Sequence, residues 1–284
     1  MMTELGLAHL TALQLAPATL VAEAARAGFA AVGLRFIPAT SDGPAYPTRV
    51  GTEAHRALKR VLIGEGVRVS DIELVQLKPT IDVSSLAGHL EAGADLGAAA
   101  VIASGDDPDR SRLTGHFAQL CQLAVSFGLR VDLEFMRWRV IGSLSQAAVV
   151  VREAGQANGA ILVDALHLTR SGGEADDLIS LPDQWLRAAQ LCDATAQSPA
   201  TETAIIAEAR EGRLPPGAGA LPLGALLEAL PADTSLSVEM PLPTLDPAER
   251  IATAFNATRH LLEGWPRGIR RRDYRGGSLT NGIA

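Results

Sequence analysis

Short aliphatic runs alternate with longer stretches of helical period along most of the chain, and a glycine often closes the helical stretch just before the next run begins. Alternating β and α elements of this kind predict a parallel sheet flanked by helices. Strands are expected near 4–9, 30–36, 67–74, 99–104, 130–134, 160–164, 188–193 and 235–239. Eight of them are enough to close a (β/α)8 TIM barrel, and 284 residues is an ordinary length for one such domain. The punctuation between the runs agrees. Pro17 opens APATLVAEAARAG, which sets Leu20, Ala24 and Ala27 on one face and stops at Gly28. LAGHLEAGADLGA and HFAQLCQLAVSFGL follow the same grammar.

Periodicity fails only after residue 264, so the barrel is expected over 1–264, followed by a basic C-terminal extension over 265–284. That extension carries five arginines between Arg267 and Arg275. It is expected either to be a mobile or subunit-draping extension, in keeping with a homo-oligomer, or to reach a neighbour's active site or an acidic partner. Aromatic residues make up 4% of the chain, so small and branched aliphatic side chains must fill the core, as they do in barrel interiors.

Charge narrows the function. A net charge of −7 argues against nucleic-acid binding, which needs a basic face, and favours a small polar substrate. No apolar run approaches a membrane span, and Cys121 and Cys192 have neither disulfide-framework nor zinc spacing. No signal-like segment precedes the first strand pattern, so the cytoplasm is the expected compartment. Lys59 and Lys78 are the only lysines, which leaves a Schiff-base mechanism dependent on Lys78 in LVQLKP. There is no P-loop, and the glycines of PPGAGALPLG lack the strand-then-helix setting of a dinucleotide site.

In a parallel barrel the C-terminal strand ends converge, so a polar residue that ends an aliphatic run points into the site. Glu134 closes LRVDLE, Asp164 closes GAILVD, Gln190 lies in LRAAQLCD and Glu239 closes SLSVE. Three carboxylates and an amide form a hard oxygen donor set suited to Mg²⁺ or Mn²⁺, with Co²⁺ as a substitute. Each taken singly could instead cap a helix or pair with an arginine. His167, three residues past Asp164, is placed to titrate near neutrality. His9, Arg35 and Glu73, at the ends of the first three strands, are candidate substrate contacts. His55, His89, His116 and His260 fall on outer helices.

LEFMRW, DALHLTRSGG, QLCDA, and EGRLPPGAGALPL followed by SVEMP resemble the successive strand-end motifs of the sugar phosphate isomerase/epimerase family, the xylose-isomerase-like TIM barrels. With AARAGFAAVGLR and LGAAAVIASGDD, the resemblance covers roughly residues 4–262. It implies one divalent metal held by Glu134, Asp164, Gln190 and Glu239, with His167 and Arg213 contacting substrate. Glu134 and Glu239 would serve as base and acid across an enolisable carbon. The activity it implies is isomerisation or epimerisation of a keto-sugar or polyol derivative. The alternative is dehydration of a 3-dehydroshikimate or keto-inositol substrate. Gln190, where many members carry His, leans toward dehydration. Met136 stands where some dehydratases carry an acid/base residue. Abasic-site endonucleases share the superfamily but need more histidines and a basic groove. Specificity is expected in the loops 37–51, 104–110 and 194–222.

Overall fold

The computed structural model describes residues 4–40 and 43–265; the arginine-rich extension beyond Trp265 lies outside the described residues. Eight parallel strands close into one barrel: β1 (Leu5–Leu7), β2 (Ala31–Arg35), β3 (Arg68–Leu77), β4 (Ala100–Gly105), β5 (Arg130–Glu134), β6 (Gly159–Asp164), β7 (Ala188–Leu191) and β8 (Ser235–Val238). Each strand pairs with the next in sequence, and β1 meets β8 with Leu5 opposite Leu236. The barrel is the expected (β/α)8 fold.

The first helix shows how local chemistry sets its limits. Pro17 fills its first position, where a missing N–H costs nothing. Gly28 ends it at φ 105°, a left-handed conformation that glycine adopts without strain. Leu20, Val21 and Ala24 are buried against the barrel, while Ala27 is only half-buried. Phe117, on the helix Arg110–Val125, is fully buried, and a Cβ placed on Gly159 would lie 3.1 Å from its ring. The four histidines expected on outer helices are on them.

Strand periodicity builds the barrel's interior. Residues two apart face the same way, so Asp132 and Glu134 on β5, and Leu162 and Asp164 on β6, occupy successive levels of one face. Leu74, Ile102, Met136 and Leu162 pack together as a small apolar plug apart from the main core. Below it a cavity is lined by Asp71, Arg130 and Asp132; above it another is lined by Glu134, His167, Arg213 and Glu239. The plug divides the floor from the mouth.

Three strands differ from expectation by two residues or more at an end. β1 ends at Leu7, and His9 begins a 3-10 turn instead of ending the strand. β7 stops at Leu191 because Asp193 pairs with Leu214 in an isolated antiparallel bridge. β3 runs on to Leu77, so Glu73 lies within the strand. The register against β4 shifts between Ile72 and Val75, which lets β3 accommodate the extra length.

No helix among the described residues is long and apolar enough to cross a membrane. Phe117→Ala should cost about 3–5 kcal/mol of stability through the cavity it leaves between helix and barrel, with no change in the residues at the mouth. Urea denaturation of the variant measures this, and a loss under 1 kcal/mol would show that the helix layer does not brace β6.

Candidate metal and substrate site

The acidic residues predicted from strand ends converge at the mouth. Asp164 lies opposite Gln190 across β6 and β7, and the Glu239 amide donates to the Leu191 carbonyl at 3.1 Å. Glu134, Asp164 and His167 each present a ligand atom within 4.8 Å of the others, close enough to share one cation. His167 is brought there by the helix Ala165–Arg170, which Asp164 caps by accepting the His167 amide at 2.8 Å. Its Nε2 is 3.6 Å from Glu134 Oε1, and its ring meets Trp138 edge-on at 5.1 Å between centroids.

Arg213 holds the remaining carboxylates. Its guanidinium lies 2.5 Å from Asp164 and 2.6 Å from Glu239, and its Nε donates to the Ala209 carbonyl. With 1% of its surface exposed and its donors committed, Arg213 acts here as a counter-charge, so a substrate oxygen meets it only alongside those carboxylates. The sequence did not assign the residue that sets this arginine. Asp193 bonds to Leu214 through its backbone; its side chain accepts from the amides of Ala194, Leu221 and Gly217. A Cβ on Gly219 would lie 2.3 Å from the Ala194 carbonyl, so Gly219 serves close packing of this loop, while Gly217 supplies a left-handed turn at φ 86°.

Of the other candidates, Arg35 and Glu73 form a buried ion pair of 3.1 Å at the edge of the mouth cavity. His9 is corrected. Its Nδ1 accepts from the Arg35 amide and its Nε2 donates to the Leu15 carbonyl, both at 2.9 Å, and the ring stacks on Tyr46. Both nitrogens are used to lock backbone, and none remains for a substrate. Lys78 is exposed just beyond β3, away from the carboxylates. The chain positions no lysine at the mouth.

Electrostatics follow from the crowding. Burial, then the neighbouring Glu239 and Asp164, hold the Glu134 carboxyl well above its usual range. Burial also raises Glu239, and although Arg213 opposes it, Glu73 and Asp164 help to bring its pKa to about 7. Asp164 is buried too, but Arg213 and His167 outweigh that and hold it below the ordinary value. Burial pushes the His167 imidazole down to about 4, so it is neutral at pH 7.

The donor set fits a hard divalent cation. The Gln190 Oε1 atom is buried without a hydrogen-bond partner, a costly state that a metal ion at this position would relieve. Glu134, Asp164 and Glu239 supply carboxylate oxygens, and a neutral imidazole stands beside them.

Comparison with known proteins agrees with this architecture. The family model described as xylose isomerase-like TIM barrel matches residues 21–261. Over 154 residues the chain is 29% identical to a 3-dehydroshikimate dehydratase of Pseudomonas aeruginosa, a match that takes in 53% of this chain and 24% of that protein. The matched region therefore spans about a quarter of the length of that curated relative. Among solved structures, the IolI protein with a bound zinc atom superposes with a TM-score of 0.74 at 19% identity, covering 93% of this chain and 99% of that one. D-psicose 3-epimerase with D-tagatose from Clostridium cellulolyticum H10 superposes at 0.69 with 14% identity, covering 94% and 100%.

Because Glu134 and Glu239 hold protons more tightly than free carboxylates, and a metal must displace those protons, Mn²⁺ affinity should rise steeply as pH increases from about 6 to 8. The thermal stabilisation by Mn²⁺ should grow over the same window, and Asp164→Asn should weaken binding at least tenfold. Calorimetric titration at several pH values tests all three, and a pH-independent affinity would remove Glu134 and Glu239 from the ligand set.

Proposed function

Because the chain belongs to the xylose isomerase-like TIM barrel family, we propose that it is a divalent-metal-dependent enzyme that removes the proton beside the carbonyl of a hydroxy-ketone. Its ligands are Glu134, Asp164, Gln190 and Glu239, with Mn²⁺ or Mg²⁺ as the ion. The observation that carries the reading is the buried, partnerless Gln190 oxygen beside clustered Glu134, Asp164 and His167. When bound, the ion supplies Lewis acidity that stabilises negative charge developing on the carbonyl oxygen.

The protein's own groups divide the remaining work. His167 is neutral and its backbone is fixed by Asp164, so its Nε2 is free to take up a proton. Glu134, 3.6 Å away, stabilises the imidazolium that forms. Arg213 keeps Asp164 and Glu239 oriented and offsets their repulsion. Trp138 covers one side of the imidazole and limits water there.

Two outcomes begin from this step, and we place dehydration first. Epimerisation by two carboxylates needs Glu239 free on the face opposite Glu134, whereas Glu239 is tied to Arg213 at 2.6 Å. Elimination needs one group that accepts the proton and returns it to a departing β-hydroxyl, a role that His167 can fill. The likeness to a 3-dehydroshikimate dehydratase supports the same outcome. Epimerisation or isomerisation of a keto-sugar is the second reading, favoured by a Glu239 carboxyl that is half-protonated near pH 7 and so able to serve as acid or base.

A panel of 3-dehydroshikimate, inosose and keto-sugars with Mn²⁺, followed for both loss of water and isomer exchange, separates the readings. In D₂O the recovered substrate or product should carry deuterium beside the carbonyl. For isomerisation, product formed without solvent deuterium would indicate a direct hydride shift and sink the proton-transfer mechanism; for dehydration the label is read in recovered substrate, where it enters as far as proton removal is reversible. His167→Ala should lower turnover by roughly 10²–10⁴-fold with unchanged Mn²⁺ stoichiometry. A loss below fivefold would reduce His167 to a positioning role.

A further inference from the structure

Several residues that line the mouth cavity carry buried hydrogen-bond donors with no acceptor. Arg35 Nε, Arg139 Nε and Trp138 Nε1 are all buried without a partner, and all three residues line this cavity. An orphaned buried N–H is costly, so three on residues of one cavity call for an acceptor-rich ligand. Arg210 lines the same cavity from the last turn of the helix Glu202–Glu211. Arg35, Arg139 and Arg213 are paired with Glu73, Asp106 and the ligand carboxylates. No hydrogen bond or ion pair engages the Arg210 guanidinium among the described residues. Burial, and then the positive charges of Arg139 and Arg35, hold its pKa below the ordinary value, as expected of a cation facing other cations.

Charge balance points the same way. With every carboxyl ionised, as metal binding requires, these four guanidiniums and the carboxylates Glu73, Glu134, Asp164, Glu239 and Asp106 sum to a single negative charge, which a divalent ion turns into a single positive one.

We infer that Arg210, with the unpaired N–H groups of Arg139, Arg35 and Trp138, forms a carboxylate subsite, so that the hydroxy-ketone substrate is an acid rather than a neutral sugar. The inference rests on the proposed metal-dependent reading of the same site and names its substrate class. A carboxylate is acceptor-only, with about four lone-pair sites on two oxygens, which suits the unpartnered N–H groups of Arg35, Arg139 and Trp138; Glu73 Oε1 is the unpartnered acceptor among these lining residues. A planar guanidinium engages it through two parallel bonds. One net positive charge matches a carboxylate better than a phosphate, which carries about 1.5 to 2 negative charges at pH 7.

The test uses the full chain with Mn²⁺ and reads binding by Trp fluorescence or calorimetry. Three probes are compared: shikimate, which has the carboxylate but no ketone; scyllo-inositol, which is neutral; and glucose 6-phosphate. Wild type is expected to bind shikimate at least tenfold more tightly than scyllo-inositol. Arg210→Gln should weaken shikimate at least tenfold and leave scyllo-inositol unchanged, with Arg210→Lys intermediate. If Arg210 served only to complement the dipole of its helix end, the variants would shift thermal stability and leave the ratio of affinities intact, which would overturn the subsite. Equal loss for both ligands, no wild-type preference for shikimate, or tighter binding of glucose 6-phosphate would overturn it as well. Mn²⁺ titration of the same proteins separates this from the underlying reading. Arg210→Gln should bind Mn²⁺ as wild type does. A wild type that binds no Mn²⁺ would defeat the metal-dependent reading, while shikimate and scyllo-inositol would still report on the subsite in the metal-free protein.

Discussion

Glu73, Glu134, Asp164 and Glu239 are buried together at one end of the barrel, and four carboxyl groups cannot share a space of low polarity unless positive charge joins them or protons stay on. Both responses occur. Arg213 places its guanidinium between Asp164 and Glu239, and Arg35 pairs with Glu73. Glu134 is left without a guanidinium, and burial beside Glu239 and Asp164 holds its carboxyl well above the ordinary range. The route of the chain after β7 follows from this need. Asp193 folds the loop back on itself so that a residue far along it returns beneath the strand ends as a counter-charge.

The barrel makes such crowding tolerable because its interior is divided by level. Strand period two puts Leu162 directly beneath Asp164, and Leu74, Ile102 and Met136 complete an apolar layer under the carboxylates. Water and charge at the floor, where Asp71, Arg130 and Asp132 meet, are thereby kept apart from the mouth. That layer also lowers the local dielectric under the site, which strengthens every charge interaction above it.

The residues readable from sequence were those whose placement depends on the strand alone. Glu134, Asp164 and Glu239 each end an aliphatic run, and a barrel turns that one-dimensional feature into convergence. Errors arose where placement depends on a partner distant in sequence. The limit of β3 was missed: Glu73 lines the mouth cavity from inside a strand that runs on to Leu77, with a register shift against β4 between Ile72 and Val75. His9 sits at the mouth by position, yet its ring nitrogens bind backbone at Leu15 and Arg35, a pairing that no local pattern encodes. Arg213 was visible as part of a motif, but its role as a counter-charge depends on the Asp193 loop. Arg210 and Arg139 carried no signal. One ends an amphipathic helix and the other sits in a loop, and only the closed barrel brings both to the cavity that Trp138 lines.

Arg213 and a divalent ion need not compete for the same carboxylates. A carboxylate oxygen has two lone-pair directions, so Asp164 can give one oxygen to Arg213 and the other to the His167 amide and still retain a free direction on each. Glu239 meets Arg213 through Oε2, which leaves Oε1 outside that ion pair. Gln190 contributes an oxygen that bonds to nothing, and Glu134 lacks a guanidinium altogether. The capacity left over therefore amounts to one oxygen donor from each of four strand ends. Arg213 can hold the carboxylates in place before an ion arrives and remain bonded afterward, so the proposed metal site would be preorganised rather than assembled by an ion.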